Sequence, residues 1–419
     1  MKRILYLLIF LIPVGFCHGQ NQGNAGNNET EPVFGIKFSG FVKNDFFYDT
    51  RQTVTAREGH FLLWPSPEKL DPNGLDINSA PSFNFLSIQS RLTGAISGPD
   101  AFGAKTSGMI EGAFFGNIEP NINSFRLRHA YAKLNWTNTE LLLGQTWHPM
   151  FNTVCFPDVV SFNTGAPFQP FARNPQIRIT HSIGHFKFMA AALSQVDFTS
   201  AGGSSLIRNS GMPEVMGQIS YTYKNGNGTE ISSGIGGGYK TLRPRLETSK
   251  KTLNYVEDER VGSYTSQAFL KIKTSPLTFK LQGFYGQNSY DVTGISSFAV
   301  LSVDTATDYR TYTALTSYSI WSEVHTNGKT VMVGIFGGYT GNLGADKTIL
   351  PQYVFGTRSN IHHVWRVSPR IVWNYGKMRL AAEIEYTTAA FGKFGTDGKV
   401  TNSSEVSNLR SLFAVYYFF

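Results

Sequence analysis

From residue 34 onward, apolar and polar side chains alternate with a period of two. Phe34, Ile36, Phe38, Val42, Phe46 and Tyr48 share one parity, and Lys37, Ser39, Lys43, Asp45 and Asp49 share the other. That period belongs to a β-strand with one apolar and one polar face. Gly40 and Asn44 interrupt the apolar set, and Phe41 and Phe47 the polar one. The alternation recurs to the end of the chain. Val215, Ile219, Tyr221 and Tyr223 oppose Glu214, Gln218, Ser220 and Lys224, and Met378, Leu380, Ala382, Ile384 and Tyr386 oppose Lys377, Arg379, Glu383 and Glu385.

The pattern predicts sixteen strands, near 34–49, 82–97, 104–116, 124–136, 139–148, 174–184, 185–196, 213–225, 229–241, 263–274, 276–288, 311–326, 329–341, 362–375, 376–391 and 406–419. Tight connections at 136–139, 184–185, 225–228, 275, 327–328 and 375–377 alternate with long ones at 50–81, 149–173, 197–212, 242–262, 289–310, 342–361 and 392–405. Asn227-Gly228 and Asn327-Gly328 are hairpin dipeptides. Helical periodicity of useful length is absent after the first residues. The fold class predicted is therefore all-β: a transmembrane antiparallel barrel of about sixteen strands. Its short turns would be periplasmic and its long loops extracellular. The final strand ends on Tyr416-Tyr417-Phe418-Phe419, similar to the terminal aromatic strand by which barrel proteins are recognised for outer-membrane assembly.

The N-terminus changes the compartment. Lys2 and Arg3 precede an apolar run from Ile4 to Val14, and the chain turns polar at Cys17-His18-Gly19-Gln20. This reads as a signal peptide over residues 1–19, cleaved before Gln20, because the apolar run is too short to span a bilayer as a helix. A lipoprotein reading of Cys17 is disfavoured by the bulky Phe16. Residues 20–33, rich in Asn and Gly, read as a disordered leader, leaving 34–419 as the barrel.

Composition fits an apolar-walled barrel. Of the 419 residues 41% are hydrophobic and 14% aromatic, only 16% are charged, and 42 are Gly. The net charge of +8 falls by two, to +6, once Lys2 and Arg3 are removed. No dense Lys/Arg run accompanies it, so nucleic acid is not an expected partner. After export Cys155 remains alone, and no disulfide is expected.

Residues 104–180 carry a nameable likeness. Lys105-Thr106, Ile110-Glu111-Gly112-Ala113-Phe114-Phe115-Gly116, Phe125-Arg126-Leu127-Arg128-His129-Ala130-Tyr131 and Leu143-Gly144-Gln145-Thr146-Trp147 occur in that order. This stretch resembles the DcaP-like outer-membrane porin family, as does the opening Gly40-Phe41-Val42-Lys43-Asn44-Asp45. Beyond about residue 185 the likeness fades to generic barrel pattern. The resemblance implies a homotrimeric sixteen-stranded porin in the bacterial outer membrane. It also implies that small anionic solutes, dicarboxylates included, pass through an Arg-bearing constriction.

By parity Arg126 and Arg128 face away from Phe125 and Leu127, and so into the lumen. Arg91, Arg178, Lys43 and Lys187 are placed the same way. A guanidinium at the bilayer midplane costs about 2–4 kcal/mol, whereas in a wet pore it offers paired hydrogen bonds to a carboxylate. Two roles stay open: a basic ladder that favours anions, or structural pairing with lumen acids such as Asp45 and Glu111. The loop 149–173 is long, apolar and proline-bearing, with Asp158 and Arg173 as charged members. It is expected to fold into the pore or to pack at a subunit interface.

Other chemistry finds little support. The run Gly234–Gly238 has no following helix, and His362-His363 and His181-Ser182 are strand neighbours expected to face apart. Neither a cofactor, a metal site nor a catalytic group is expected. The competing readings are a plugged structural or adhesive barrel and an outer-membrane barrel enzyme such as a phospholipase.

Overall fold

The two-residue alternation becomes a closed wall in which one parity faces outward and the other faces the lumen. The computed structural model describes residues 34–116, 119–356 and 360–419. The expected signal peptide and leader lie outside the described residues. Sixteen antiparallel strands are numbered here by their place in the wall. They are β1 (Gly35–Asp49), β2 (Ser82–Leu86 continued by Arg91–Ser97), β3 (Lys105–Phe114), β4 (Phe125–Asn135), β5 (Thr139–Trp147), β6 (Arg173–Ile183), β7 (Phe186–Leu193) and β8 (Glu214–Lys224). There follow β9 (Glu230–Leu242), β10 (Val261–Lys273), β11 (Leu277–Gln287), β12 (Thr316–Thr326), β13 (Val331–Gly344), β14 (Ile361–Tyr375), β15 (Met378–Phe394) and β16 (Val400–Phe418).

Each strand pairs with its neighbour in sequence, and β1 pairs with β16 from Phe41↔Phe418 to Asp49↔Arg410. That last pairing removes the sheet edge, which is the condition for β-structure to sit in lipid. The strands are long enough to cross a hydrocarbon core, which takes about 9–11 tilted residues. Along β1, Val42, Phe46 and Tyr48 are exposed outward, whereas Lys43, Asp45 and Asp49 are at most 1% exposed on the inside. The same division holds for outward Ile177 and Ile179 against inward Gln176 and Arg178 on β6. Among the described residues no helix is long and apolar enough to cross a membrane.

Several connections differ from the expected loops. The stretch 392–405 is mostly strand: Lys393 pairs with Thr401, Phe394 with Val400, and only 395–399 turns. The polar Asn402-Ser403-Ser404 had suggested a loop, but they belong to a hairpin that extends the two strands. Residues 311–314 were expected in the twelfth strand, yet they pair with Phe298–Val303 in a hairpin outside the wall. Two further hairpins, Thr53–Ala56 with Phe61–Pro65 and Glu247–Lys250 with Leu253–Val256, occupy other loops. A short helix, Ser205–Ser210, lies in the loop after β7.

Loop 149–172 folds into the lumen. Its Phe151, Cys155, Phe162, Phe168 and Phe171 form one buried apolar cluster with Phe61 and Trp64 of the first hairpin and with Trp321 and Phe336 of the inner wall. Polar contacts fix its path. Asn163 Nδ2 donates to Glu385 (2.7 Å), Trp321 Nε1 donates to Gln169 (2.7 Å), and Arg366 Nη1 donates to the Ala166 carbonyl (3.0 Å). The Val160 amide is bonded to Glu383. Gly338 makes room for the Phe168 ring, since a Cβ there would stand 2.5 Å from it.

Candidate functional site: an arginine cluster in the lumen

The inner faces of β2 to β6 bring the basic residues together. Arg91 stands on β2, Glu111 on β3, Arg126 and Arg128 on β4, and Arg173 opens β6. At Glu111/Gly112 the ladder between β3 and β4 shifts register, so that Glu111 opposes His129 while Gly112 opposes Leu127. Such a bulge re-aims side chains. Here both Arg128 and His129 are buried on the inside, although adjacent strand residues ordinarily face apart. Gly112 is needed because the Phe125 ring lies across it, 2.3 Å from where a Cβ would be.

Two carboxylates organise the cluster. Arg128 Nε donates to Glu111 Oε1 at 2.8 Å, Arg91 Nε stands 3.5 Å from the same oxygen, and Thr93 Oγ1 donates to Glu111 Oε2 at 2.8 Å. Arg173 Nη1 donates to Asp197 Oδ2 at 2.7 Å, and Arg126 is ion-paired to Asp197 as well. Aromatic rings take the guanidinium faces. Arg173 lies 4.1 Å from the Trp147 centroid, and Arg57, Arg126 and Arg128 surround Phe115 at 4.9, 5.6 and 5.5 Å.

Among the described residues Glu111 and Asp197 face the guanidinium groups of Arg91, Arg126, Arg128 and Arg173, two more positive charges than negative, and Arg57 stands beside them as a fifth guanidinium. The other four all act electrostatically on Arg173. Several donors meet no acceptor of the protein itself: Arg126 Nη1, Arg128 Nη1, and Arg173 Nε and Nη2. A buried unsatisfied donor costs about 1–3 kcal/mol, and more when charged. An anion entering the cluster would satisfy these groups and offset their mutual repulsion.

The remaining sequence candidates occupy different settings. Arg178 donates to Gln176 (2.9 Å) and to the Trp147 carbonyl (2.6 Å). It lines a polar cavity of about 340 Å³ with Lys187, Glu140, Asn152, Thr153 and Ser220, at the short-turn end of the barrel. Lys43 lies instead beneath loop 149–172: its ammonium is 2.9 Å from Asp45, and it donates to Gln89 (2.5 Å) and to the Val160 carbonyl (3.0 Å). Asp158 accepts from Lys280 (2.6 Å), and its amide donates to Glu323 (2.7 Å). On that opposite wall basic groups are matched by acids: Arg410 with Asp49 (2.6 Å), Arg370 with Glu323 (2.8 Å) and Arg366 with Glu385 (3.4 Å).

Sequence reading missed Arg57, Asp197 and His129. Arg57 and Asp197 sit in long loops where alternation says nothing, and His129 has the wrong parity until the bulge is known. The histidine pair is also corrected. His362 Nδ1 and His363 Nδ1 stand 2.8 Å apart, and His363 Nε2 is 2.8 Å from Glu405. A register shift between Ile361 and His363 explains why these neighbours do not face apart.

No protein-family profile matches the chain, and no curated protein does either. Solved structures do. The outer membrane channel DcaP of Acinetobacter baumannii superposes with a TM-score of 0.67 at 17% identity, covering 92% of this chain and 97% of that one. OmpT of Vibrio cholerae, an outer-membrane protein, superposes with a TM-score of 0.52 at 10% identity over 92% of this chain and 97% of that one. Its trimer form gives 0.53 at 10% identity over 92% and 100%. At such identities the likeness establishes architecture: the chain has the fold of bacterial outer-membrane channels, with DcaP among those it resembles.

Proposed function

We propose that this chain is an outer-membrane porin, exported by residues 1–19, which gives small hydrophilic solutes passive passage and favours anions bearing carboxylates. The observation that carries the reading is the set of N–H groups on Arg126, Arg128 and Arg173 that no protein acceptor takes, within a cluster rich in positive charge. Guanidinium donors in that arrangement suit a carboxylate, which accepts two parallel hydrogen bonds. Arg178 and Lys187 extend basic character toward the short-turn end. Assembly as a homotrimer is part of the proposal, supported by the trimer form of the OmpT barrel.

A second reading, a plugged barrel, draws on the apolar cluster that loop 149–172 and the first hairpin build inside the lumen. A liposome swelling assay separates the two. A porin swells vesicles in small carboxylates faster than in neutral sugars of similar size. A plugged barrel, shown to be folded by circular dichroism, leaves them unswollen in both.

A further inference from the structure

The inner faces of β5 to β8 carry a separate constellation at the short-turn end of the lumen. Cross-strand register aligns it in two rows. In the first, Glu140 opposes Thr180, Thr180 opposes Met189, and Met189 opposes Gln218. In the second, nearer the turn, Lys187 lies between Ser182 and Ser220. The two-residue period puts both rows on the lumen side. With Phe151 and Asn152 of the pore loop they line the cavity of about 340 Å³ that Arg178 shares. Ligand pockets run from about 300 to 1,000 Å³, so this one takes a single small molecule.

Its chemistry differs from that of the arginine cluster. Asn152 is 5% exposed; its Oδ1 accepts from the Val154 amide at 2.9 Å, and its Nδ2 meets no acceptor of the protein itself. Lys187 forms no ion pair among the described residues. These two donors, with Arg178 in the same lining, suit one carboxylate. Glu140 sets the opposite demand. Lys133 donates to its Oε2 at 2.8 Å, and no other described residue donates to it. An ionised carboxylate only accepts hydrogen bonds, so Glu140 calls for a donor and repels a second acid. Thr180, Ser182 and Ser220 offer hydroxyls, which both donate and accept and so match hydroxyls in kind. Phe151 and Met189 supply apolar surface for the C–H face of a ring.

We propose that this cavity binds a sugar acid: one ring bearing several hydroxyls and a single carboxylate, a hexuronate in size and charge. Asn152 Nδ2 and the Lys187 ammonium take the carboxylate. The sugar hydroxyls donate to Glu140 and share hydrogen bonds with Thr180, Ser182 and Ser220. The proposal rests on the porin reading, whose carboxylate solutes it narrows to hydroxylated ones.

The test titrates sodium glucuronate into the full-length folded barrel in detergent, followed by calorimetry, which reads binding whether or not the barrel conducts. Two comparison probes separate the parts of the ligand. Glucose has the ring and hydroxyls without the charge, and cyclohexanecarboxylate has the charge on a ring without hydroxyls. Glucuronate is expected to bind about tenfold tighter than either. Asn152→Asp keeps the acceptor for the Val154 amide but replaces the Nδ2 donor with a repelling oxygen, and weakens glucuronate binding about tenfold or more. Lys187→Gln, at an exposed side chain, weakens it about threefold and stands in if Asn152→Asp fails to fold. No glucuronate binding overturns the proposal, and so does binding matched by either comparison probe or indifferent to both substitutions. Binding that depends on Asn152 and Lys187 in a folded barrel that does not conduct would sustain the site and sink the porin reading alone.

Discussion

Arg128 donates to Glu111 at 2.8 Å across the point where β3 and β4 slip register. The slip admits His129 to the same interior, so a bulge sets the composition of the arginine cluster as much as strand parity does. Glu111 then holds two guanidiniums, Arg91 and Arg128, while Asp197 holds Arg126 and Arg173. One face of the lumen keeps surplus positive charge. The opposite face is close to neutral and carries the pore loop.

Arg91 is the cluster member whose removal disturbs the wall least, because Glu111 keeps Arg128. Arg91→Gln lowers the chloride-to-potassium permeability ratio about two- to threefold, by reducing the local positive potential. The unfolding temperature stays close to that of the wild type. Reversal potentials and thermal melts of the same preparation check both halves.

Glu111→Gln acts in the opposite sense. Taking one partner from a buried ion pair costs about 3–5 kcal/mol, because the guanidiniums left behind are uncompensated. The variant is expected to melt at lower temperature and, where folded, to prefer anions more strongly. An unchanged melting temperature would show that Glu111 is not the organising carboxylate.

Inside and outside are told apart by one residue of register. Ile179 points to lipid and Thr180 to the lumen. Ile179→Lys should destabilise the barrel by about 2–4 kcal/mol, and Thr180→Lys by much less. Unfolding by urea from lipid vesicles measures both, and equal costs would contradict the orientation of β6.

At the loop end Asp308, in the turn of the hairpin 298–314, ties the approach to the neighbouring hairpin Glu247–Val256 to its own hairpin. A hydrogen bond from Arg245 (2.8 Å), and then one from Arg310, hold its carboxyl below the usual carboxylate range. Its stabilisation is thus fully present above the unfolded value of about 3.9 and is lost as pH falls through the lowered folded value. Pepsin should leave the hairpin intact at about pH 4.5 and cut it as the pH approaches about 2. In Arg245→Gln the cutting begins at higher pH; identical profiles would dismiss the tie.

Alternation was enough to place the sixteen wall strands and to send Arg126, Arg128 and Arg178 inward, because a two-residue period has only two faces. It failed where the period breaks. The bulges at Gly112 and at His363 reverse parity without any change in residue type, and the hairpin at 298–314 mimics a wall strand. The loops were legible only as long and apolar. That Arg57 and Asp197 enter the cluster depends on where residues 50–81 and 197–212 fold back, and no local pattern encodes that. Two of the pairing acids were legible, since Glu111 holds Arg91 and Arg128 and Asp45 holds Lys43. What stayed hidden is the pore loop's complete cover over Lys43, which has the same parity as Arg91.

The most direct measurement is the reversal potential of the purified protein in a planar bilayer under a potassium chloride gradient. Stepwise conductance with chloride favoured over potassium is the predicted result, because unpaired guanidinium donors line one face of the lumen. Potassium preference, or no conductance from protein shown to be folded, would contradict an anion-selective porin.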